Sequence, residues 1–200
     1  MSKAKIRIVE STCVPLPFEN VDTDQIIPAR FLTATSREGF GDNLFRDWRY
    51  DKNGLKNMNF VLNDSSYKGE ILVAGKNFGC GSSREHAVWA VHDYGFKAVV
   101  SSYFADIFRN NALNNGLLPV VLPGKIFKEL LNLVKAEPET KVQIDLQEQL
   151  FTILPIGLSI RFDINPYKKE CLLNGLDDID YLLGVQNHIL EFENKKKVFA

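Results

Sequence analysis

The chain has 200 residues, of which 45% are hydrophobic and 24% are charged, and its formal net charge is −1. This length and composition predict one or two globular domains with a hydrophobic core. The balanced charge argues against a nucleic-acid-binding protein, which usually has a basic surface. No apolar run reaches the ~18 residues that a membrane span needs. We therefore expect neither a nucleic acid nor a membrane as a partner.

The three cysteines, Cys13, Cys80 and Cys171, are far apart in the sequence and form no Cys-x-x-Cys motif. This arrangement argues against a disulfide framework and against a metal cluster held by the cysteines of this chain. Residues 5–8 alternate polar and apolar side chains, which predicts a strand rather than a signal peptide. Reduced thiols are typical of the cytoplasm, and that is the compartment we expect.

The first predicted strand covers residues 6–14. The stretch after it, VPLPFENVDTDQIIPARF, is rich in proline, aspartate and asparagine, which is typical of loops and short turns. Residues 36–57 combine glycine, charged and aromatic residues without a clear period. A segment of this length without periodicity predicts a functional or mobile loop.

From residue 70 onward, short apolar segments alternate with segments of helical pattern. Strands are predicted at 70–74, 97–101 and 117–122, and helices at 83–93, 103–114 and 124–135. This alternation predicts parallel βαβ units. Pro119 has no N–H group to donate, so the third of these strands is expected at a sheet edge or a bulge.

The last part of the chain changes character twice. Residues 142–154 predict a β-hairpin, and residues from 166 onward predict helices with breaks at Gly175 and Gly184. We therefore predict an α/β fold in one domain over residues 1–200. Its core covers about residues 5–160, with an additional β-hairpin layer and a C-terminal helical extension at about 165–195.

The stretch GKNFGCGSSREHAVWA, residues 75–90, is the most informative part of the sequence. Ser82 and Glu85 have the Ser-x-x-Glu spacing of a capping box, so these residues could serve only to begin a helix. A cap alone does not explain Arg84, a cation placed where the helix dipole favours an anion. Glycines, amides, hydroxyls and a guanidinium together favour a site for a carboxylate or a phosphate.

Three known nucleotide and hydrolase motifs do not fit this stretch. A Walker A motif needs a Gly-Lys-Ser/Thr end, which is missing, and a dinucleotide fingerprint would need glycine at Arg84. A hydrolase elbow would need glycine at Glu85. Anion binding, helix capping alone and an atypical nucleotide site remain the alternatives from spacing.

The longer stretch GCGSSREHAVWAVHDYGFKAVVSSYFADIFRNNALNNGLLPV resembles the core of the swivelling domain of the aconitase superfamily. The segments NVDTDQIIPARF and GFGDNLFRDWRY are similar to the small subunits of 3-isopropylmalate dehydratase. The resemblance covers most of residues 5–190. It implies a swivelling β/β/α domain with a parallel βαβ core.

The resemblance also implies an activity. The 3-isopropylmalate dehydratases are hydro-lyases of leucine biosynthesis that convert 2-isopropylmalate into 3-isopropylmalate through isopropylmaleate. Their [4Fe-4S] cluster acts as a Lewis acid and is held by cysteines of a separate large subunit. For this chain the resemblance implies a large-subunit partner, in a heterodimer or a heterotetramer, a small dicarboxylate substrate and no metal of its own.

The resemblance assigns roles position by position. It makes Ser82 the catalytic base, and it places substrate carboxylates against Gly81, Ser83 and Arg84. Asp24 is expected near the substrate, and Arg30 either contacts the substrate or is a surface arginine. Glu85 and His86 are assigned to capping and packing. A specificity segment is expected at Phe31, Leu32, Thr33 and Ala34, whose uncharged side chains favour a branched apolar substituent.

Two alternatives remain open at this point. The chain could serve a related hydro-lyase of the homoaconitase or methylmalate (citraconate) type, since all of these substrates have the same carboxylates. It could also be a non-enzymatic anion-binding module that uses the same loop, because a fold alone does not determine a function.

Overall fold

One mixed sheet extends through the computed structural model, which describes residues 4–32 and 39–197. The described strands lie in the order β4-β3-β2-β1-β5-β6-β7. Their bounds are β1 Ile8–Leu16, β2 Ile71–Ala74, β3 Ala98–Ser101, β4 Leu118–Val121, β5 Lys141–Asp145, β6 Leu150–Ile153 and β7 Leu158–Arg161.

Helices connect and cover these strands. The α-helices are α1 Thr23–Ile26, α2 Arg46–Arg49, α3 Glu85–Asp93, α4 Asp106–Asn114, α5 Gly124–Ala136, α6 Pro166–Asn174, α7 Asp178–Gly184 and α8 Gln186–Lys197. Short 3₁₀ turns occur at Ala29–Phe31, Gly41–Asn43, Val61–Asn63 and Leu154–Ile156. No helix in the described ranges is both long and apolar enough to cross a bilayer.

Strand β1 joins a parallel half of the sheet to an antiparallel half. It pairs with β2 in parallel, with Cys13 opposite Ile71, and with β5 in the antiparallel direction, with Ile8 opposite Asp145. The predicted α/β class and its parallel βαβ core are confirmed. The predicted hairpin forms, but it extends the same sheet instead of making a second layer, and β7 extends it further. Pro119 lies in β4 at a sheet edge, as predicted.

The parallel strands are buried on both faces because helices cover both sides of the sheet. Along β2, Ile71 and Val73 contact the cluster that contains α5, whereas Leu72 and Ala74 contact the cluster that contains α3 and α4. This alternation follows from the two-residue period of a strand. It explains why β2 is apolar at every position, which is typical of parallel strands.

The predicted loop at 36–57 is confirmed only in part: within the described residues, 39–50 contain a 3₁₀ turn and helix α2, whereas 51–57 are irregular and exposed. Phe40 and Phe45 are buried in the core, and Phe45 stacks on Trp48 with ring centroids 5.4 Å apart. Arg49 is also buried, and its guanidinium donates to backbone carbonyls, among them that of Leu44 at 3.3 Å. The segment shows no repeating pattern of apolar residues because its elements are short: a 3₁₀ turn, a left-handed Phe45 with φ of 48° and a four-residue helix.

Residues 166–197 form three helices, and the breaks lie where they were predicted. Helix α6 ends at Gly175, which adopts φ of 68°, and helix α7 ends at Gly184. Asn165 begins α6 by accepting hydrogen bonds from the amides of Tyr167 and Lys168. The assignment of all 200 residues to a single domain stays a prediction.

Candidate active site

The loops that follow β1 and β2 lie side by side at the carboxyl edge of the parallel strands. The Asn20 amide donates to the Lys76 carbonyl at 2.8 Å, and the Gly79 amide donates to the Val21 carbonyl at 2.8 Å. Asp22 and Cys80 form an isolated parallel bridge. This pairing connects the Asp-Thr-Asp segment to the glycine-rich segment, although some sixty residues separate them in the sequence.

The loop after β3 joins the same group. The Asn77 amide donates to the Tyr103 carbonyl at 2.9 Å, and the Ala105 amide donates to the Phe78 carbonyl at 3.1 Å. The buried Ser101 hydroxyl lies 2.9 Å from the Gly75 carbonyl oxygen. Three successive parallel strands therefore hold one continuous loop surface.

The two glycines that flank Cys80 have different reasons to be glycine. Gly79 has φ of 77°, and a Cβ there would lie 2.2 Å from Phe108 Cγ, so the position is closed to any side chain. Gly81 has φ of 90°, but its nearest neighbour, Asp22 Cβ, would lie at 3.4 Å. Gly79 is therefore required by packing and conformation, and Gly81 by conformation alone.

Ser82 does not cap the helix, so the predicted capping box is wrong. Helix α3 begins at Glu85, and Arg84 is its N-cap residue, with extended backbone at φ of −120°. Ser82 and Ser83 therefore precede the helix, and both are exposed. The exposed hydroxyls are thus placed on the loop surface rather than in the first turn.

Glu85 is held by Trp89 of the same helix and by Asn115, the residue that follows α4. Its Oε1 accepts from the Trp89 indole N–H at 3.2 Å and from the Asn115 side-chain amide at 2.9 Å. His86 lies between aromatic rings, with centroids 4.5 Å from Trp89 and 5.5 Å from Phe40. The packing role predicted for His86 agrees with these contacts.

Arg84 forms an ion pair with Asp24, through its Nη1 and the carboxylate Oδ1. The Arg84 side chain is 19% exposed and the Asp24 side chain 53% exposed, so the pair is only partly covered and remains accessible on the loop surface. Asp24 lies in α1, which begins at Thr23. Asp22 is the N-cap residue of this helix and forms a capping box with Gln25. The structure thus brings together Asp24 and Arg84, two residues that the resemblance placed near the substrate without pairing them with each other.

Thr23 supports the serine loop, and sequence reasoning missed it. This buried residue receives no role from its motif, yet its hydroxyl donates to the Ser82 carbonyl at 3.1 Å. Its amide also donates to the Cys80 carbonyl at 2.9 Å. The only feature of the sequence that could have indicated this role is the position of Thr23 between two aspartates. An ordinary loop explains that pattern equally well.

The remaining predicted site residues lie on the segment after α1. Arg30 pairs with Asp47 on the surface, and its guanidinium carbon is 4.7 Å from the centre of the Phe31 ring. Phe31 and Leu32 are half-buried against the core. Thr33 and Ala34 lie outside the described residues, so the structure describes only half of the proposed specificity segment.

The cysteines have separate environments. Burial raises the pKa of the Cys13 thiol to about 12. Cys80 donates to the Asn20 carbonyl at 3.3 Å, and burial also raises its pKa. Within residues 4–32 and 39–197, no three histidine, cysteine, aspartate or glutamate side chains lie close enough together to hold a metal ion. The described residues do not fit an iron–sulfur cluster.

The arrangement as a whole suits the binding of an anion. Two exposed hydroxyls, a glycine with positive φ and a mostly buried guanidinium lie on consecutive residues at the carboxyl edge of a parallel sheet. Hydroxyls and guanidinium groups are typical carboxylate ligands. The exposed Ser82 oxygen would then lie beside a bound carboxylate.

Comparisons with known proteins identify the family to which this chain belongs. The Aconitase C-terminal domain family matches residues 3–125, which defines the class of protein to which this fold and loop belong. The 3-isopropylmalate dehydratase small subunit of Christiangramia forsetii is 58% identical over 193 residues, covering 96% of this chain and 94% of that protein. The small subunit of Cytophaga hutchinsonii is 55% identical over 98% of both chains.

A solved structure agrees with these relatives. The crystal structure of 3-isopropylmalate dehydratase from Methanocaldococcus jannaschii has a TM-score of 0.63 and 30% sequence identity, covering 94% of this chain and 99% of that one. The chain belongs to the family of 3-isopropylmalate dehydratase small subunits.

Replacing Gly79 with alanine tests whether the loop depends on contact with Phe108. Gly79→Ala should lower the free energy of unfolding by about 3 kcal/mol, because it adds overpacking to the conformational cost of positive φ. Gly157→Ala is the matched control: φ there is 63° and nothing lies within 4 Å, so about 1 kcal/mol is expected. Urea titrations measure both, and equal losses would contradict the packing argument.

Proposed function

We propose that this chain is the small subunit of a 3-isopropylmalate dehydratase and supplies the base and part of the substrate site. The observation that supports this most is the exposed Ser82-Ser83 pair beside the Arg84–Asp24 ion pair, in a chain of this family. In this proposal the enzyme removes water from 2-isopropylmalate and returns it to isopropylmaleate to give 3-isopropylmalate.

In this proposal Ser82 removes the proton from the substrate carbon and returns it in the reverse step. A serine oxygen is a weak base unless its anion is stabilised. Two features would supply that stabilisation: the glycine-containing loop before Ser82, with its backbone amides, and the Arg84 guanidinium two residues later. Positive groups fixed before the reaction lower the cost of such a charge.

The neighbouring residues would bind the substrate carboxylates. Ser83 and the Gly81 amide are exposed and can donate, and Arg84 has further N–H groups besides the one that meets Asp24. Asp24 would fix the direction of the guanidinium. Arg30, whose exposed guanidinium pairs with Asp47 on the surface, would also contact the substrate from the segment next to the specificity residues.

The segment Phe31, Leu32, Thr33 and Ala34 would contact the variable substituent of the substrate. Phe31 and Leu32 are anchored against the core, so they can present a fixed apolar surface. A hydrophobic pocket discriminates by about 1–3 kcal/mol per methylene, so activity on smaller alkylmalates is expected beside the isopropyl substrate.

The partner in this proposal is the large subunit, and the [4Fe-4S] cluster belongs to it. The cluster supplies a Lewis acid for the hydroxyl that leaves. The described residues of this chain offer a hydroxyl base and carboxylate ligands but no gathered metal ligands. The proposed assembly is a heterodimer or a heterotetramer in the cytoplasm.

Reconstitution tests the proposed function. The chain should show no dehydratase turnover alone, and turnover should appear when it is mixed anaerobically with a cluster-loaded large subunit. The ultraviolet absorbance of isopropylmaleate measures the rate, and homoaconitate and methylmalate are assayed in parallel. Turnover by the chain alone, or a clear preference for homoaconitate or methylmalate, would contradict the proposal.

Replacing Ser82 separates a catalytic role from a structural one. Ser82 is exposed and is not a helix cap, so Ser82→Ala should change the free energy of unfolding by less than about 0.5 kcal/mol. In the assembled enzyme kcat should fall by about 1,000-fold or more with KM nearly unchanged. Ser83→Ala, the matched variant, should mainly raise KM. Comparable kcat losses for both variants would argue against a unique role for Ser82.

Replacing Asp24 tests whether it positions Arg84. Asp24→Asn removes the charge of the pair, and kcat/KM should fall about tenfold, mostly through a higher KM. Asp24→Glu should restore part of the loss. Asp22→Asn is the control, because asparagine caps a helix as well as aspartate does. A lower KM for Asp24→Asn would show that Asp24 competes with the substrate for Arg84.

A further inference from the structure

The edge of the sheet that presents Ser82 also exposes large apolar side chains. Phe18 is 52% exposed, Tyr103 is 48% exposed and Ile107 is 49% exposed. Single exposed hydrophobic residues are common on protein surfaces, but a group of them on one side indicates a contact surface. Tyrosine and phenylalanine are also among the residues enriched at protein interfaces.

These three residues belong to the same loop surface as Ser82. Phe18 follows β1, and Gly75 lies so close to its carbonyl that an added Cβ would be 2.2 Å from the oxygen. Tyr103 follows β3, and its carbonyl accepts from the Asn77 amide. Ile107 lies in the first turn of α4, four residues after Tyr103. The first residues of the loop after β2, 75–77, thus lie between Phe18 after β1 and Tyr103 after β3.

Contacts hold at least one of these side chains in place before any partner binds. The Phe18 ring meets the Trp48 ring edge-on, with centroids 5.3 Å apart. The hydroxyl of the buried Ser101 fixes the backbone at Tyr103, since it lies 3.0 Å from the Tyr103 carbonyl oxygen. A surface with a fixed shape loses less entropy on association than a mobile one.

We propose that Phe18, Tyr103 and Ile107 form the docking surface for the large subunit. This inference rests on the proposed function. A partner that completes the reaction at Ser82 must cover the loop surface, and a standard interface of about 800 Å² per partner extends past it to the neighbouring side chains. Other exposed apolar residues, such as Ile156 between β6 and β7, belong to elements outside the three loops.

Charge-introducing variants test the docking surface in the reconstituted enzyme. Tyr103→Glu and Ile107→Glu should each weaken binding of the cluster-loaded large subunit at least about tenfold, because each buries a carboxylate in place of an apolar anchor. Ile156→Glu is the matched control, since Ile156 is 51% exposed, and its Kd should stay within about threefold of wild type. Calorimetric titration under anaerobic conditions measures Kd, and activity at saturating small subunit measures kcat.

The outcomes separate this inference from the proposed function. Thermal melts of each free variant identify any folding defect, and in that case Tyr103→Ser and Ile107→Ser replace the glutamate variants with the same expected direction. Unchanged Kd for the loop-side variants, with a wild-type pair that binds and turns over isopropylmalate, would overturn the docking surface alone. Absence of binding and turnover in the wild-type pair would overturn the proposed function itself.

Discussion

The parallel backbone pairing between residues 20–23 and 76–80 determines the geometry of the candidate site. Two amide–carbonyl bonds, at Gly79 and Thr23, align the loops with each other. This alignment places α1 so that Asp24 meets Arg84 and so that the Thr23 hydroxyl reaches the Ser82 carbonyl. The pairing in turn requires that Gly79 lie directly against Phe108, a contact that leaves no space for a side chain.

The site combines exposed reactive groups with buried supports. Ser82 and Ser83 face solvent, whereas Thr23 and Ser101, which hold the loops through hydroxyl hydrogen bonds, are almost fully buried. Arg84 is intermediate: most of its side chain is covered, and its charge is already paired. A guanidinium oriented before the substrate arrives has less reorganisation to undergo on binding, which is the usual advantage of a preorganised polar site.

The sequence predicted the parallel half of the sheet well because each buried strand is a short apolar segment between clear turn residues. It did not predict the capping geometry, because the Ser82–Glu85 spacing fits a capping box whereas Glu85 is bound by Asn115 of another segment. The aromatic core around Phe45 was missed because its backbone has no repeating period. The ion pair of Asp24 with Arg84 was not predicted, since no local pattern relates two residues sixty positions apart and the resemblance gave each of them a separate role.

The central place of β1 has a consequence for how the chain reaches its native state. Its parallel partner begins at Ile71, and its antiparallel partner ends at Asp145, opposite Ile8. During synthesis both edges of β1 can therefore be covered only after most of the chain has left the ribosome. Long-range pairing of this kind slows folding and prolongs the exposure of unpaired strand edges. Newly made chains therefore leave one edge of β1 unpaired until residues 141–145 become available.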